Sequence, residues 1–504
     1  MDHTLSEVLA DFCSSATEAS IPSGVRASAR QRLLDTVGAC LAAVSVDTCR
    51  AVVEYVCAEG GAAEATAIGL ARRLPAAQAA FVNGVLARAV EFDDTALPAI
   101  LHPSGVVIPA ALAAGQIGRR SGAEVITAIA LGLELCVRLG MAGYDPAVGN
   151  SLFLERGQDA TAICGTLAAA TVAARLLGLD AAGIAHAIGI ALSFASGSLE
   201  ANRSGGTVKR LQSGWAAQAG VRAAALARHG VTGPPSALEG RFGFGHCFLD
   251  GRFDAAALTA GLGTTWAVPD ILFKPYPANY FTHAGIDAAL ALRWRGVKAE
   301  EVASMHLGAA TPMVRTMGEP IDVKRQPANG YQAKFSGPYT VVAALLGGSG
   351  LGLGLDDFTD DLATDPARRA LMQRVTVGVD ATCEALFPRQ APAVLTVRTR
   401  DGKELVEKVL ANRGSPQRPL TDEELAVKFR TNAATALPEA AIAALEAAVA
   451  NIERLGDLEA VLAPTRSAGG KEGRLGNGDA ADRGRIPPGS PSRPGSGPGS
   501  TAPA

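Results

Sequence analysis

Alanine- and glycine-rich apolar runs recur through the N-terminal half of this chain, and that texture restricts its fold more than any other feature. Residues 78–86, 106–117 and 122–139 carry helical periodicity, yet each such run meets an Arg, Asp, His or Gly before the ~18 residues of a membrane span have passed. The pattern predicts buried helices packed through small contact residues. Hydrophobic residues at 48% and charged residues at only 19% are enough to bury a large core, while 5% aromatics argues against an aromatic-rich sandwich. A chain of 504 residues is too long for one ordinary core and suggests about two or three domains.

Charge and cysteine usage remove several function classes. A net charge of −3 and a pI near 6.2 leave no basic excess to neutralise nucleic-acid phosphates. The eight cysteines are scattered without a Cys-x-x-Cys pair, which argues against a zinc site, a cysteine-held iron–sulfur cluster and a disulfide framework. Mean hydropathy of +0.19 raises the question of a membrane, and the broken runs answer it against a span. The start, Met-Asp-His-Thr-Leu-Ser-Glu, lacks the basic and apolar regions of a signal peptide, so the expected compartment is the cytoplasm.

Four polar interruptions fall between helices. The first is Phe92-Asp93-Asp94-Thr95 with His102-Pro103-Ser104-Gly105, on a connection pinned by apolar helices at both ends. Polar side chains on such a loop suit catalysis, but they also suit helix capping, with a proline in the first turn of the next helix. The second, Gly157-Gln158-Asp159-Ala160-Thr161, lies at or near a helix N-terminus, where free N–H groups favour anions. The third places Lys209 and Arg210 just ahead of an Ala-rich helix at 215–228. The fourth, Phe273-Lys274-Pro275-Tyr276-Pro277 with Thr282-His283, stiffens the backbone around a lysine with two prolines and precedes a helix at 284–295.

From about residue 297 the texture becomes mixed. Strand-like pieces at 302–307, 375–379 and 394–400 interleave with helices at 332–346 and 366–373, which implies a small α+β domain. Helices at 421–430 and 439–451 return to the Ala-rich idiom, and a helix is expected at 184–196. A short segment near 63–70 suits a minor strand. The glycine-rich stretch 347–354 lacks the Lys-Ser/Thr of a phosphate loop and is expected to be a flexible connection. Beyond 462 the Gly/Pro/Ser-rich composition predicts a disordered tail.

Together the interruptions supply carboxylates (Asp93, Asp94, Asp159), an imidazole (His102) and two lysines (Lys209, Lys274), without a metal motif. Lysines bind carboxylates, and an Asp/His pair moves protons, so the set suits proton transfer at a carbon next to a carboxylate. Either lysine could equally be a solvated surface charge, and His283 a helix-start histidine.

Several of these motifs, in this order, resemble the signature of the MmgE/PrpD family: Phe92-Asp-Asp-Thr95, His102-Pro-Ser-Gly105, Thr161-Ala-Ile-Cys-Gly-Thr166, Thr207-Val-Lys-Arg-Leu211, Phe273-Lys-Pro-Tyr-Pro277, Thr282-His283 and Ala333-Lys-Phe-Ser336. The family includes 2-methylcitrate dehydratase, cis-aconitate decarboxylase and iminodisuccinate epimerase. The resemblance implies a mainly α protein: an all-helical domain at 1–266, a smaller α+β lid domain at 267–412, and C-terminal helices at 413–462 packing back on the first. The tail at 463–504 lies beyond it. It further implies a homodimer, no cofactor or metal and a small carboxylate substrate, while charge and the broken apolar runs lead to the expectation of no nucleic-acid or membrane partner.

Carried over, the resemblance puts Asp93, His102, Lys209 and Lys274 in the active site, with His102 as general acid/base and the lysines as carboxylate clamps. Thr95, Ser104, Asp159, Gln212 and His283 are expected to bind substrate. The leading expectation is a 2-methylcitrate dehydratase-like hydro-lyase; the alternatives are a decarboxylase, an epimerase, or a non-catalytic carboxylate-binding homologue. Two departures stand out: Asp159 occupies a position where related sequences usually carry histidine, and Lys209-Arg-Leu-Gln212 ends in Gln where they often read His.

Overall fold

A computed structural model describes residues 3–147, 149–204 and 206–467. The tail expected at 463–504 lies outside the described residues from 468 onward. Its first residues are ordered instead: Pro464–Ser467 is a short 3-10 turn in which Thr465 is fully buried and its carbonyl accepts the Gly69 N–H at 3.0 Å.

The N-terminal half is helical, and its helices begin where side chains satisfy the free N–H groups of the first turn. Thr4 and Glu7 form a capping box for Leu5–Ser15, and Ser121 and Glu124 one for Gly122–Met141. Asp180 caps Ala181–Leu192, so this helix starts and ends earlier than the 184–196 expected from periodicity. Ala160–Leu176 is buried along almost its whole length and is surrounded by Ser104–Gly118, Gly122–Met141 and Leu211–Arg228.

Small residues are what let these helices meet. A Cβ on Gly84 of Ala76–Ala89 would sit 2.7 Å from the Gly214 Cα of Leu211–Arg228, and one on Gly220 would sit 2.4 Å from the Ala169 Cβ. A side chain at either place would push the helices apart. This close approach brings the C-terminal end of Ala76–Ala89, with Arg88 and Glu91, beside Lys209 and Arg210 at the start of Leu211–Arg228.

A second apolar core runs from Leu272 to Val409. Its sheet has the order Val375–Val379, Val302–Ala309, Ala393–Thr399, Glu404–Val409; the first pair is parallel and the others antiparallel. Helices His283–Trp294 and Gly337–Leu346 pack together in this core, the former also against the last two strands. The fourth strand, absent from the sequence expectation, is an edge strand whose Glu404, Glu407 and Lys408 interrupt its apolar alternation. The helix expected at 332–346 is two pieces, Gly330–Ala333 and Gly337–Leu346. Ser336 breaks it: its hydroxyl accepts the Tyr339 N–H as an N-cap and donates to the Lys324 carbonyl. The 347–354 stretch is irregular but tethered, since the Asp357 carboxylate accepts the Ser349 and Gly354 N–H groups.

After this core the chain returns to the first one. Phe429, Leu437, Leu445 and Leu462 are buried among the N-terminal helices. Thr421 caps the returning helix Asp422–Ala433 through a capping box with Glu424. Among the described residues no single helix is long and apolar enough to cross a membrane.

Candidate active site

The loop between Ala76–Ala89 and Ser104–Gly118 is held by lysines from three other parts of the chain. Lys334 donates to the Val90 carbonyl at 2.7 Å, Lys274 to the Glu91 carbonyl at 3.4 Å, and Lys428 to the Phe92 carbonyl at 3.0 Å. Each ammonium is buried. Lys428 also pairs with Asp35 at 2.6 Å and lies 4.1 Å from the Phe92 ring centroid. Between these anchors Glu91 adopts φ +59°, a left-handed conformation that costs a non-glycine residue about 1–3 kcal/mol and persists only where surroundings enforce it.

Asp94 organises the other half of the loop. Its carboxylate accepts hydrogen bonds from Arg32 at 2.9 Å and from the hydroxyl and N–H of Ser104, so it fixes the start of the next helix. Arg32 reaches on to the Ile271 carbonyl, and Thr95 exchanges two backbone hydrogen bonds with Leu272. Ser104 and Thr95 are thereby engaged with the loop itself.

His102 Nδ1 lies 2.6 Å from the Asp94 carbonyl oxygen, with Thr95 Oγ1 3.2 Å away. A carbonyl can only accept, so Nδ1 carries the proton and neutral His102 presents Nε2 as a base. The ring is 21% exposed, against 4% for Asp93 and 2% for Lys274, so it is the open member of the group. Burial, with Lys274 and Arg88 nearby, holds its pKa below the ordinary 6.5 against the opposing pull of Asp93. His102 is therefore neutral at pH 7.

Two carboxylates face the lysines. Asp93 Oδ1 is 3.3 Å from Lys274 Nζ, and its buried Oδ2 has no hydrogen-bond partner but lies 3.6 Å from His102 Nδ1. Glu91 Oε1 is 2.5 Å from Lys209 Nζ and accepts from the Tyr331 hydroxyl at 3.3 Å; its Oε2 is 4.0 Å from Lys274 Nζ. Burial acts to raise both carboxyls. Lys209 and Lys274 outweigh it at Glu91, and Lys274 with His102 at Asp93, so both stay ionised well below neutrality.

The structure thus brings Asp93, His102, Lys209 and Lys274 into one network. Asp159 sits at its margin: it caps Ala160–Leu176 through the Thr161 and Ala162 N–H groups and pairs with Arg88 at 3.0 Å. Gln212 donates to the Ser198 carbonyl, leaving its buried Oε1 without a partner. His283 is enclosed between Tyr276 and Tyr280 with Nε2 at the Ala278 carbonyl, and burial, with Lys274 nearby, drops its pKa to about 3.

Glu91, Arg88, Tyr331, Lys334 and Lys428 belong to the network and carried no role in the sequence reading. Lys334 stood inside a quoted motif, and for Glu91 the available signal was an acid two residues before Asp93. Lys428 gave none, because only the returning helix brings it here. Among the described residues no group of three or more His, Cys, Asp or Glu is placed to hold a metal ion.

Comparison with known proteins shows the family. The MmgE/PrpD N-terminal domain matches residues 7–256 and the MmgE/PrpD C-terminal domain matches residues 276–454. This chain belongs to the MmgE/PrpD family. Human cis-aconitate decarboxylase is 28% identical over 445 residues, 85% of this chain and 87% of that protein. The cis-aconitate decarboxylase of Aspergillus terreus is 27% identical over 459 residues, covering 88% and 92%. The 2-methylcitrate dehydratase of Salmonella typhimurium is 26% identical over 442 residues, covering 81% and 85%. As an MmgE/PrpD protein the chain has the mainly α fold with a smaller α+β part that the resemblance implied.

Proposed function

We propose that this protein is an MmgE/PrpD-family lyase that moves a proton at the carbon α to a carboxylate of a small di- or tricarboxylic acid. The observation that carries this reading is His102: fixed by the Asp94 carbonyl, neutral, partly exposed, and set beside Lys274, Lys209 and Asp93. Nε2 takes the α proton, Asp93 stabilises the imidazolium, and the lysines clamp the substrate carboxylate on which the enediolate-like charge develops. Loss of a β-hydroxyl, protonated as it leaves, completes a dehydration like that of 2-methylcitrate dehydratase.

Decarboxylation is the second reading, supported by the cis-aconitate decarboxylases among the relatives. There the carbanion forms as carbon dioxide departs, and a protonated group must deliver a proton to carbon. A base that is neutral at pH 7 favours the first direction. Asp93, Lys209 and Lys274 act with His102 in either case, while Thr95 and Ser104 hold the loop in shape. The same reading includes a homodimer, with no nucleic-acid or membrane partner.

A panel of hydroxylated and unsaturated di- and tricarboxylic acids, including 2-methylcitrate and cis-aconitate, followed by proton NMR in deuterated water, tests the reading. Loss of the α-proton signal without carbon dioxide release, accompanied for 2-methylcitrate by a downfield shift of its methyl signal as the double bond forms, indicates dehydration, and carbon dioxide release indicates decarboxylation. Binding of an acid with no turnover and no deuterium incorporation across the panel would replace the lyase with a carboxylate-binding homologue.

A further inference from the structure

Lys274 is placed by its stem more than by its ammonium. Nζ stands 3.3 Å from Asp93 Oδ1, 3.4 Å from the Glu91 carbonyl oxygen and 4.0 Å from Glu91 Oε2. Charge-assisted hydrogen bonds of this kind normally run at about 2.7–2.9 Å. Lys209, Lys334 and Lys428 each have a partner that close, at 2.5, 2.7 and 2.6 Å. Lys274 is thus the most loosely bonded of the four, although its side chain is only 2% exposed.

The backbone that carries it is gripped on both sides. Before it, the Phe273 N–H donates to the Gly414 carbonyl at 3.0 Å. After it, Pro275 and Pro277 fix φ but offer no N–H, and the side chain of Tyr276 supplies the second hold. Tyr276 is fully buried; its hydroxyl donates to Asp287 Oδ1 at 2.6 Å and accepts from the Arg413 guanidinium at 3.4 Å. Burial, with Asp287 beside it, pushes the Tyr276 pKa well above the ordinary 10, so the donor proton is kept. Asp287, on His283–Trp294, is itself fixed: Oδ2 accepts from the Arg413 N–H at 3.3 Å and from the Arg418 guanidinium at 3.2 Å. Arg413 also donates through Nε to Glu424 at 3.1 Å, one helical turn before Lys428. The short turn containing Arg413 and Gly414 therefore holds the Lys274 segment twice, directly at Phe273 and through Asp287 at Tyr276.

We propose that Tyr276 is a positioning residue that acts through Lys274: its hydroxyl bond to Asp287 sets where the Lys274 ammonium meets a substrate carboxylate. The inference rests on the carboxylate-lyase reading, in which Lys274 is a clamp, and adds to it a residue whose own polar group faces away from the loop, toward Asp287 and Arg413. A charged group with long contacts depends on its stem for its position, and a misplacement of about 1 Å can cost up to about 100-fold. With both prolines retained, loss of the hydroxyl should cost about tenfold.

The test is calorimetric titration of the full chain with two saturated, unreactive acids, butanedioate and propane-1,2,3-tricarboxylate, following whichever the wild-type chain binds more tightly. Tyr276→Phe should weaken it by about tenfold. Lys274→Met, which keeps the stem without its charge, should weaken it by at least as much. In the Lys274→Met background, Tyr276→Phe should add less than about twofold, because a residue that acts through the ammonium has nothing left to place. A merely structural tyrosine would lower the melting temperature and either leave affinity unchanged or weaken it equally in both backgrounds. Asp287→Ala, which takes the acceptor from the hydroxyl, carries the same expectations and decides if Tyr276→Phe fails to fold. Wild-type affinity in Tyr276→Phe, or equal weakening in both backgrounds, overturns the inference and leaves the lyase reading standing. Wild-type affinity in Lys274→Met removes the clamp and the inference with it, and binding of neither acid by the wild-type chain overturns both.

Discussion

His102 is held at one nitrogen by a group that can only accept, and its consequences are readable at the level of single residues. His102→Ala is expected to lower kcat by about 10²- to 10⁴-fold with a smaller change in KM, whereas Lys274→Ala should act mainly on KM. Because burial holds the His102 pKa below 6.5, the base form persists as pH falls. The acid limb of kcat/KM should therefore have its midpoint below 6.5, and a midpoint above that value would exclude His102 as the base. Lys428 is the stability counterpart. Lys428→Met leaves Asp35 buried without its partner and should cost about 3–5 kcal/mol in denaturant unfolding, and Asp35→Asn in the same chain should restore much of it. At this scale the sequence marks Asp93, His102 and the two lysines as candidates, because those residue types sit together in polar interruptions. It does not show that Ser104 is tied through Asp94 to Arg32, which is distant in the chain.

Elements carry the next level of constraint. Asp159 does two things for Ala160–Leu176: it accepts the Thr161 and Ala162 N–H groups, and it neutralises Arg88. Asp159→Asn keeps an oxygen for the cap and loses the ion pair, while Asp159→Ala loses both. Thermal unfolding should rank wild type above Asn and Asn above Ala, the last step being worth about 1 kcal/mol. Equal stability of the two variants would mean that the cap contributes nothing. Helix positions in the first half were legible because small apolar residues repeat at helical spacing over long runs. The break at Ser336 and the edge strand Glu404–Val409 were not: one depends on a hydroxyl contact with Lys324, the other on pairing with Ala393–Thr399 in spite of its charges.

Across the whole molecule, the site loop is where the two cores are joined. Thr95 pairs with Leu272, and Lys334 reaches from the second core to the Val90 carbonyl. Burial holds the folded Lys334 pKa near 7, so unfolding lets this amine take up a proton between about 7 and its ordinary 10.5. Rising pH across that window should stabilise the folded chain, and Lys334→Met should flatten the rise; an unchanged slope would place Lys334 outside this coupling. The sequence disclosed the order of the motifs and the change in texture near residue 297, but not that the returning helix Asp422–Ala433 adds a third lysine to the loop. That placement is a property of the packed chain. Proton transfer at His102 is the step on which the proposed chemistry stands. Its most direct measurement is proton NMR in deuterated water of the acid that the wild-type chain converts, compared with His102→Ala at equal folded concentration. Deuterium should enter the position α to the carboxylate with the wild-type protein and be lost with the variant; incorporation at equal rates in both would contradict it.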